Sequence, residues 1–171
     1  MTLRLRFNLL ITLIMLFLII ALAMVSMSSS KSTIQEGVES ANKVTLQLLE
    51  TIIVRSVQNP EWGSTHDVVR RFLRQLGYVR SNDIFLYNTQ GDLTYRSPPS
   101  SYLLEIEPPK WYIDFISPKK VTNSRFINSG RLIVQSNASG TIRGAWVELR
   151  TLFSTTLIFF LLFNIFVYWL L

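Results

Sequence analysis

The chain has 171 residues with 17 Lys+Arg, 11 Asp+Glu, a single His, no Cys and a mean hydropathy of +0.29. The absent cysteine excludes disulfides, thiolate metal sites and cysteine nucleophiles, and the net charge of +6 comes with no basic run interleaved with aromatics, which leaves nucleic acid out as a partner. A mean hydropathy too high for a soluble domain and too low for a polytopic membrane protein points to apolar residues gathered in blocks.

The first block is Phe7–Met27, free of charge and preceded by Arg4 and Arg6. At 1.5 Å per residue its length of about 21 residues just crosses a hydrocarbon core of roughly 30 Å. Ala21 and Ala23 also offer a signal-peptide cleavage pattern. The uncleaved span is preferred, because the stretch exceeds the h-region of a signal peptide and runs on past the alanine pair. The basic residues before it favour an amino terminus in the cytoplasm, covering residues 1–6.

From Ser28 to Gln58 the period is helical, with Ile34, Val38, Ala41, Val44, Leu48 or Leu49, Ile52 and Val57 forming a stripe, and no proline occurs before Pro60. One helix is expected to run straight out of the span. Its stripe either packs on the domain or pairs with a second copy. Asn59-Pro60-Glu61-Trp62-Gly63 breaks it. Ser64 then reads as an N-cap with Asp67 in the capping-box slot, Val68, Val69, Phe72, Leu73 and Leu76 as the apolar face and Gly77 as the stop.

Next the period changes to two. Asp83–Asn88 and Leu93–Arg96 are strands around the turn Thr89-Gln90-Gly91-Asp92, and Ser97–Ser101 is a loop. Trp111–Ile116 is a helical turn with an aromatic face, between Pro108-Pro109 and Pro118. Strands are expected at Arg125–Asn128, Arg131–Ser136 and Thr141–Glu148, with turns at Asn128-Ser129-Gly130 and Asn137-Ala138-Ser139-Gly140. The fold class is α+β, with one antiparallel sheet covered by helices. Residues 28–151 make one domain, too short for two.

The last block, Leu152–Leu171, is again long enough to span, with Arg150 at its start and Tyr168 and Trp169 near its far end. Asn164 inside it bonds either across a helix dimer or to a local carbonyl. The chain stops at Leu171 without a basic anchor, so a longer parent protein is expected.

Chemistry is sparse. His66 lies between Ser64 and Asp67, but the three share one helical turn, where neighbouring side chains diverge, and capping accounts for two of them. Glu105 and Glu107 share a face of an extended segment and read as surface charge. Asn137-Ala138-Ser139 matches a glycosylation sequon that a turn explains equally. No catalytic residue, metal site or cofactor is assigned, and the chain itself is not expected to be an enzyme. The candidate ligand pocket is Tyr87, Tyr95, Arg96, Trp111 and Trp146, with Tyr112 beside them, aromatic walls around one cation; the alternative is that Trp111 and Trp146 fill the core.

The segment from Asp83 to Pro98 resembles the hairpin of PAS-like extracytoplasmic sensor domains. Pro109-Lys110-Trp111-Tyr112, Gly130–Asn137 and Gly144-Ala145-Trp146 are similar to segments of the LapD/MoxY-type amino-terminal domain. That family sits between two membrane helices at the front of bacterial sensor histidine kinases and cyclic-dinucleotide receptors. The resemblance implies a PAS-like periplasmic sensor domain with a long first helix, in a two-pass protein of the bacterial inner membrane. It implies a signal-input module of a two-component system, a homodimer in membrane lipid, and a small-molecule or periplasmic protein stimulus. The rivals are the input part of a cyclic-dinucleotide receptor, or a stand-alone membrane protein that binds an envelope partner.

Overall fold

A computed structural model describes residues 3–102, 104–127 and 130–170. Helix α1, Leu3–Gln58, is unbroken over 56 residues, or about 84 Å of rise. Leucine, isoleucine and methionine carry its first half, and nothing in it lacks an N–H until Pro60, where a single 3-10 turn, Pro60–Trp62, redirects the chain. Helix α2, Thr65–Leu76, starts on Ser64, whose hydroxyl oxygen accepts the Asp67 N–H at 3.2 Å, and ends at Gly77, whose N–H reaches the Leu73 carbonyl.

Four strands follow the caps and turns: β1 Asn82–Tyr87, β2 Leu93–Arg96, β3 Thr122–Ile127 and β4 Gly130–Ser136, antiparallel in the order β2-β1-β4-β3. The β1–β2 turn is tightened by Asn88, whose Oδ1 accepts the N–H groups of Gln90 and Asp92 at 2.9 and 2.8 Å. Gly130 begins β4 at φ 149°, and a Cβ there would run into the Tyr87 carbonyl oxygen, so this position admits glycine only. The rest of the expected Asn128–Ser129 turn lies outside the described residues, as does Leu171.

One face of the sheet is covered. Ile84 and Leu86 of β1 and Leu132 and Val134 of β4 meet Leu49 of α1 and Val69 and Leu73 of α2. Each fully buried side chain of this kind contributes about 2 kcal/mol by leaving water. The inward stripe of α1 matches the expected one at Ile34, Val38, Leu49 and Ile52 and departs from it elsewhere. Ile34, Val38, Asn42, Thr45, Leu49 and Ser56 face inward, while Val44, Leu48 and Val57 stay exposed. Asn42 and Thr45 take inner positions because the sheet offers them partners. Asn42 donates to Asn82 Oδ1 at 3.1 Å, Asn82 donates to Thr45 Oγ1 at 2.9 Å, and Asn123 donates to Asn42 Oδ1 at 2.7 Å. A buried polar network thus joins α1 to β1 and β3.

Helix α3 is Lys110–Ile116. The last element corrects the reading of Thr141–Glu148 as a strand: α4 is one helix from Ser139 to Leu170. The sheet therefore has four strands, and the second apolar segment is a continuation of a helix. The β-branched residues and glycines there mimic a strand. Gly140 instead clears room for a crossing segment, since a Cβ there would stand 3.1 Å from Ser100 Oγ.

Both α1 and α4 carry a stretch long and apolar enough to cross a membrane. These stretches are exposed nearly all round, Phe17 to 70% and Phe159 to 66%. Between them Thr12 donates to Asn164 Oδ1 at 2.6 Å, and Asn164 Nδ2 donates to the Phe160 carbonyl at 2.9 Å. Asn164 thus bonds a local carbonyl and a partner within its own chain.

Candidate functional site

The first turn of α4 is bolted to the sheet. Asn137 Oδ1 accepts the Ser139 N–H at 3.0 Å, its Nδ2 donates to Asp83 Oδ2 at 2.9 Å, and its backbone N–H donates to the Ser81 carbonyl at 2.9 Å. Ser81 holds φ at 65° to present that carbonyl. Asn137 caps the first N–H of α4 from one residue before Ala138, whose carbonyl accepts the first helical bond from Ile142, and this is the same local chemistry that a turn reading would use.

A cavity opens on each side of this turn. One, of about 720 Å³, lies between α3, the end of β4 and α4, with Lys110, Lys120 and Arg143 facing Asp83 and Glu107. Three cations against two carboxylates, next to the positive end of a long helix, suit an anionic ligand. Arg143 is held in place through Nη1, which donates to the Tyr102 carbonyl at 2.7 Å. The other cavity, of about 630 Å³, lies between α1 and α4 and presents Ser29, Thr33, Tyr78, Arg80, Tyr102 and Glu148. It offers hydroxyls and one charge of each sign.

Beside these cavities α1, α3 and α4 meet in a second core of Ile34, Val38, Tyr112, Ile116 and Ile142, with Met27, Trp146 and Leu149 packed on it. Tyr112 is wholly buried. Its ring lies 5.8 Å from Trp111 and 5.0 Å from Trp146, and those two indoles meet edge-on at 6.1 Å. Burial, then the Glu148 carboxylate, pushes the Tyr112 hydroxyl above its ordinary pKa.

The five expected pocket residues divide. Trp111 and Trp146 come together here. Tyr95 packs on the other core and donates to the Leu73 carbonyl at 2.8 Å, and burial raises its pKa. Arg96 lies over the Phe85 ring at 5.6 Å, and Tyr87 borders a shallow cleft at the far end of β4. None of the five lines either of the two cavities flanking α4. Of the residues that do, Asn137 carries a turn and sequon signal in the sequence, while Lys120 and Arg143 carry none.

Ser64, His66 and Asp67 form no relay. The Ser64 hydroxyl donates to Asp67 Oδ2 at 2.7 Å, while His66 Nε2 faces Thr94 Oγ1 at 3.0 Å. The Thr94 hydroxyl is committed to the Leu86 carbonyl, which assigns the His66 proton to Nε2. Glu105 and Glu107 are exposed, and no group of three metal-ligating side chains occurs among the described residues.

The Ser64 hydrogen bond, with the Arg70 guanidinium adding, holds the Asp67 carboxyl below its ordinary pKa. A depressed carboxylate pKa contributes stability above the unfolded value of about 3.9, and that contribution is lost as pH falls through the folded value. Ser64→Ala is expected to move the Asp67 pKa upward, toward the ordinary value, in a carboxyl-carbon NMR titration of the protein in detergent. An unmoved pKa would assign the shift to Arg70 and His66.

No protein-family model, curated protein or solved structure matches the chain.

Proposed function

We propose that the chain is the signal-input part of a bacterial membrane receptor of the sensor-histidine-kinase kind. In this reading α1 and α4 cross the inner membrane, the sheet domain faces the periplasm, and the stimulus is an anion taken up beside the first turns of α4. One observation carries the proposal. The helix that lines both cavities at Ser139, Thr141 and Arg143 runs without a break to Trp169. A shift of its start against α1 has no loop in which to dissipate.

The charge pattern supports the membrane placement. Thr12 stands level with Asn164. Arg6 lies six residues to one side of that level along α1, and Arg150 fourteen to the other along α4. The twenty residues between them rise about 30 Å, the thickness of a hydrocarbon core. Exposed apolar rings over that zone, Trp169 at 89% among them, are at home in lipid and not in water. Arg4 and Arg6 favour the cytoplasm for the amino terminus. Val44 and Leu48, left open on α1, supply a face for a second copy, and a dimer is the two-state element that signalling needs.

The test is a fusion of residues 1–171 to a cytoplasmic kinase domain. Reversing a cavity charge, Lys120→Glu, is expected to change kinase output on the order of tenfold, an ordinary coupling. The same reversal is expected to do nothing once three glycines are inserted after Leu149. Output indifferent to Lys120→Glu and to every deletion within residues 64–148 would sink the proposal.

A further inference from the structure

We infer that α3 is a membrane-contact helix, lying flat along the outer lipid surface with Trp111 and Phe115 seated among phospholipid headgroups. The inference rests on α1 and α4 being membrane spans, and adds a lateral hold of the outer domain on the same bilayer.

Height follows from the register of the two long helices. With Thr12 level with Asn164, counting eighteen residues outward along each brings Ser30 level with Trp146. The Trp111 ring meets Trp146 at 6.1 Å, and the Lys31 ammonium lies 4.8 Å over the Phe115 ring. The two ends of α3 are therefore at one height, and the helix runs across α1 and α4, parallel to the membrane plane. By the same count Arg150, the last charge before the apolar stretch of α4, stands level with Ser26. Trp111 and Phe115 are contacted from four or five residues above that level, about 6–8 Å, at the outer edge of a headgroup layer about 5–7.5 Å deep on each side of a hydrocarbon core of roughly 30 Å.

Orientation follows from the neighbouring face, about 100° round the helix. Tyr112 and Ile116 turn into the cluster with Ile34, Val38 and Ile142, and Ile142 is level with Ile34, a turn farther from the boundary. Side chains of α1 lean toward its amino terminus, so the Lys31 side chain brings Phe115 lower still. The side of α3 carrying Trp111 and Phe115, in contact with Trp146 and Lys31, is thus the one nearer the bilayer. The two rings are 57% and 45% exposed. An indole suits the headgroup layer, apolar at one end and able to donate at the other. The Lys31 ammonium lies at the depth of the lipid phosphates, with its stem along the Phe115 ring.

The experiment uses the full chain in phosphatidylethanolamine/phosphatidylglycerol vesicles with nitroxide-labelled lipids, and variants that each keep one of Trp62, Trp111 and Trp169, the remaining tryptophans replaced by Phe. Trp111 is expected to lose about half of its emission to shallow labels, as an interfacial ring would. Trp62, at the top of an α1 that rises about 45 Å above Met27, is expected to lose none. Trp169 reports on the spans themselves. Quenching of Trp169 without quenching of Trp111 overturns the α3 inference and leaves the spans standing. Quenching of neither overturns both. A blue-shifted, unquenched Trp111 means that protein covers this face, and also overturns it. The cysteine-free sequence allows a second probe, Phe115→Cys carrying a nitroxide. Its accessibility to oxygen is expected to exceed that to an aqueous nickel chelate, and the reverse order speaks against the inference.

Discussion

Asn82→Ala is expected to lower stability by about 3 kcal/mol, or about 10 °C in the melting temperature of a domain this size. The Asn82 side chain is 2% exposed and sits between two groups of α1, accepting from Asn42 and donating to Thr45. Its removal leaves a buried amide donor and a buried hydroxyl without partners, and each such orphan costs on the order of 1–3 kcal/mol. Asn42→Ala breaks the same network from the other side and also strands Asn123. The double variant is therefore expected to fall short of the sum of the singles by about 1–2 kcal/mol. Thermal unfolding of the four proteins in detergent, followed by circular dichroism, measures both quantities. Additive losses, or a single loss below about 1 kcal/mol, would show that apolar packing alone holds the long helix on the sheet.

Tyr112→Ala is expected to have the larger effect, about 4 kcal/mol, in the range for removal of a buried large side chain. Tyr112 is the one wholly buried aromatic ring among the described residues, and it touches the place where α1, α3 and α4 converge. The cavity left by the ring has walls on three helices that cannot all move in. Trp111→Ala removes a ring of greater size that is more than half exposed, and is expected to cost under about 1 kcal/mol. The contrast separates burial from ring size. Hydrogen exchange adds location: Tyr112→Ala is expected to lower amide protection in residues 139–149 ahead of the β1–β4 pairing. Equal losses for the two variants would mean that the exposed Trp111 holds the joint as much as Tyr112 does.

Much of the architecture was legible because it is written in local chemistry. Pro60 ends α1, Ser64 and Gly77 bracket α2, and Gly91 marks the first hairpin. The start of α4 was not legible, because Asn137 serves a turn and a helix cap by the same hydrogen bond, and because Thr141, Ile142 and Val147 favour strands when nothing else is known. The α4 face of Ile142 and Trp146, packed with Leu149 beside α1, decides for helix, and that contact spans more than a hundred residues. The inward face of α1 drifted from the apolar stripe for a related reason: hydropathy cannot rank Asn42 above Val44 until Asn82 and Asn123 are in place. The candidate site was less legible still. Its cations come from three separate segments, at Lys110, Lys120 and Arg143, none of which is a motif.

The Thr12–Asn164 bond discriminates between ways of moving. It lies across the two helix axes in a zone with little other polar grip. Sliding α4 along α1 by about 1 Å lengthens a transverse bond of 2.6 Å by only about 0.2 Å, well inside hydrogen-bonding range. Rotating α4 by one residue's step, about 100°, swings the Asn164 amide away altogether, and in the proposed membrane placement leaves its oxygen in hydrocarbon. In the proposed receptor the pair would be a detent that lets the helices act as a piston and resists their acting as a crank.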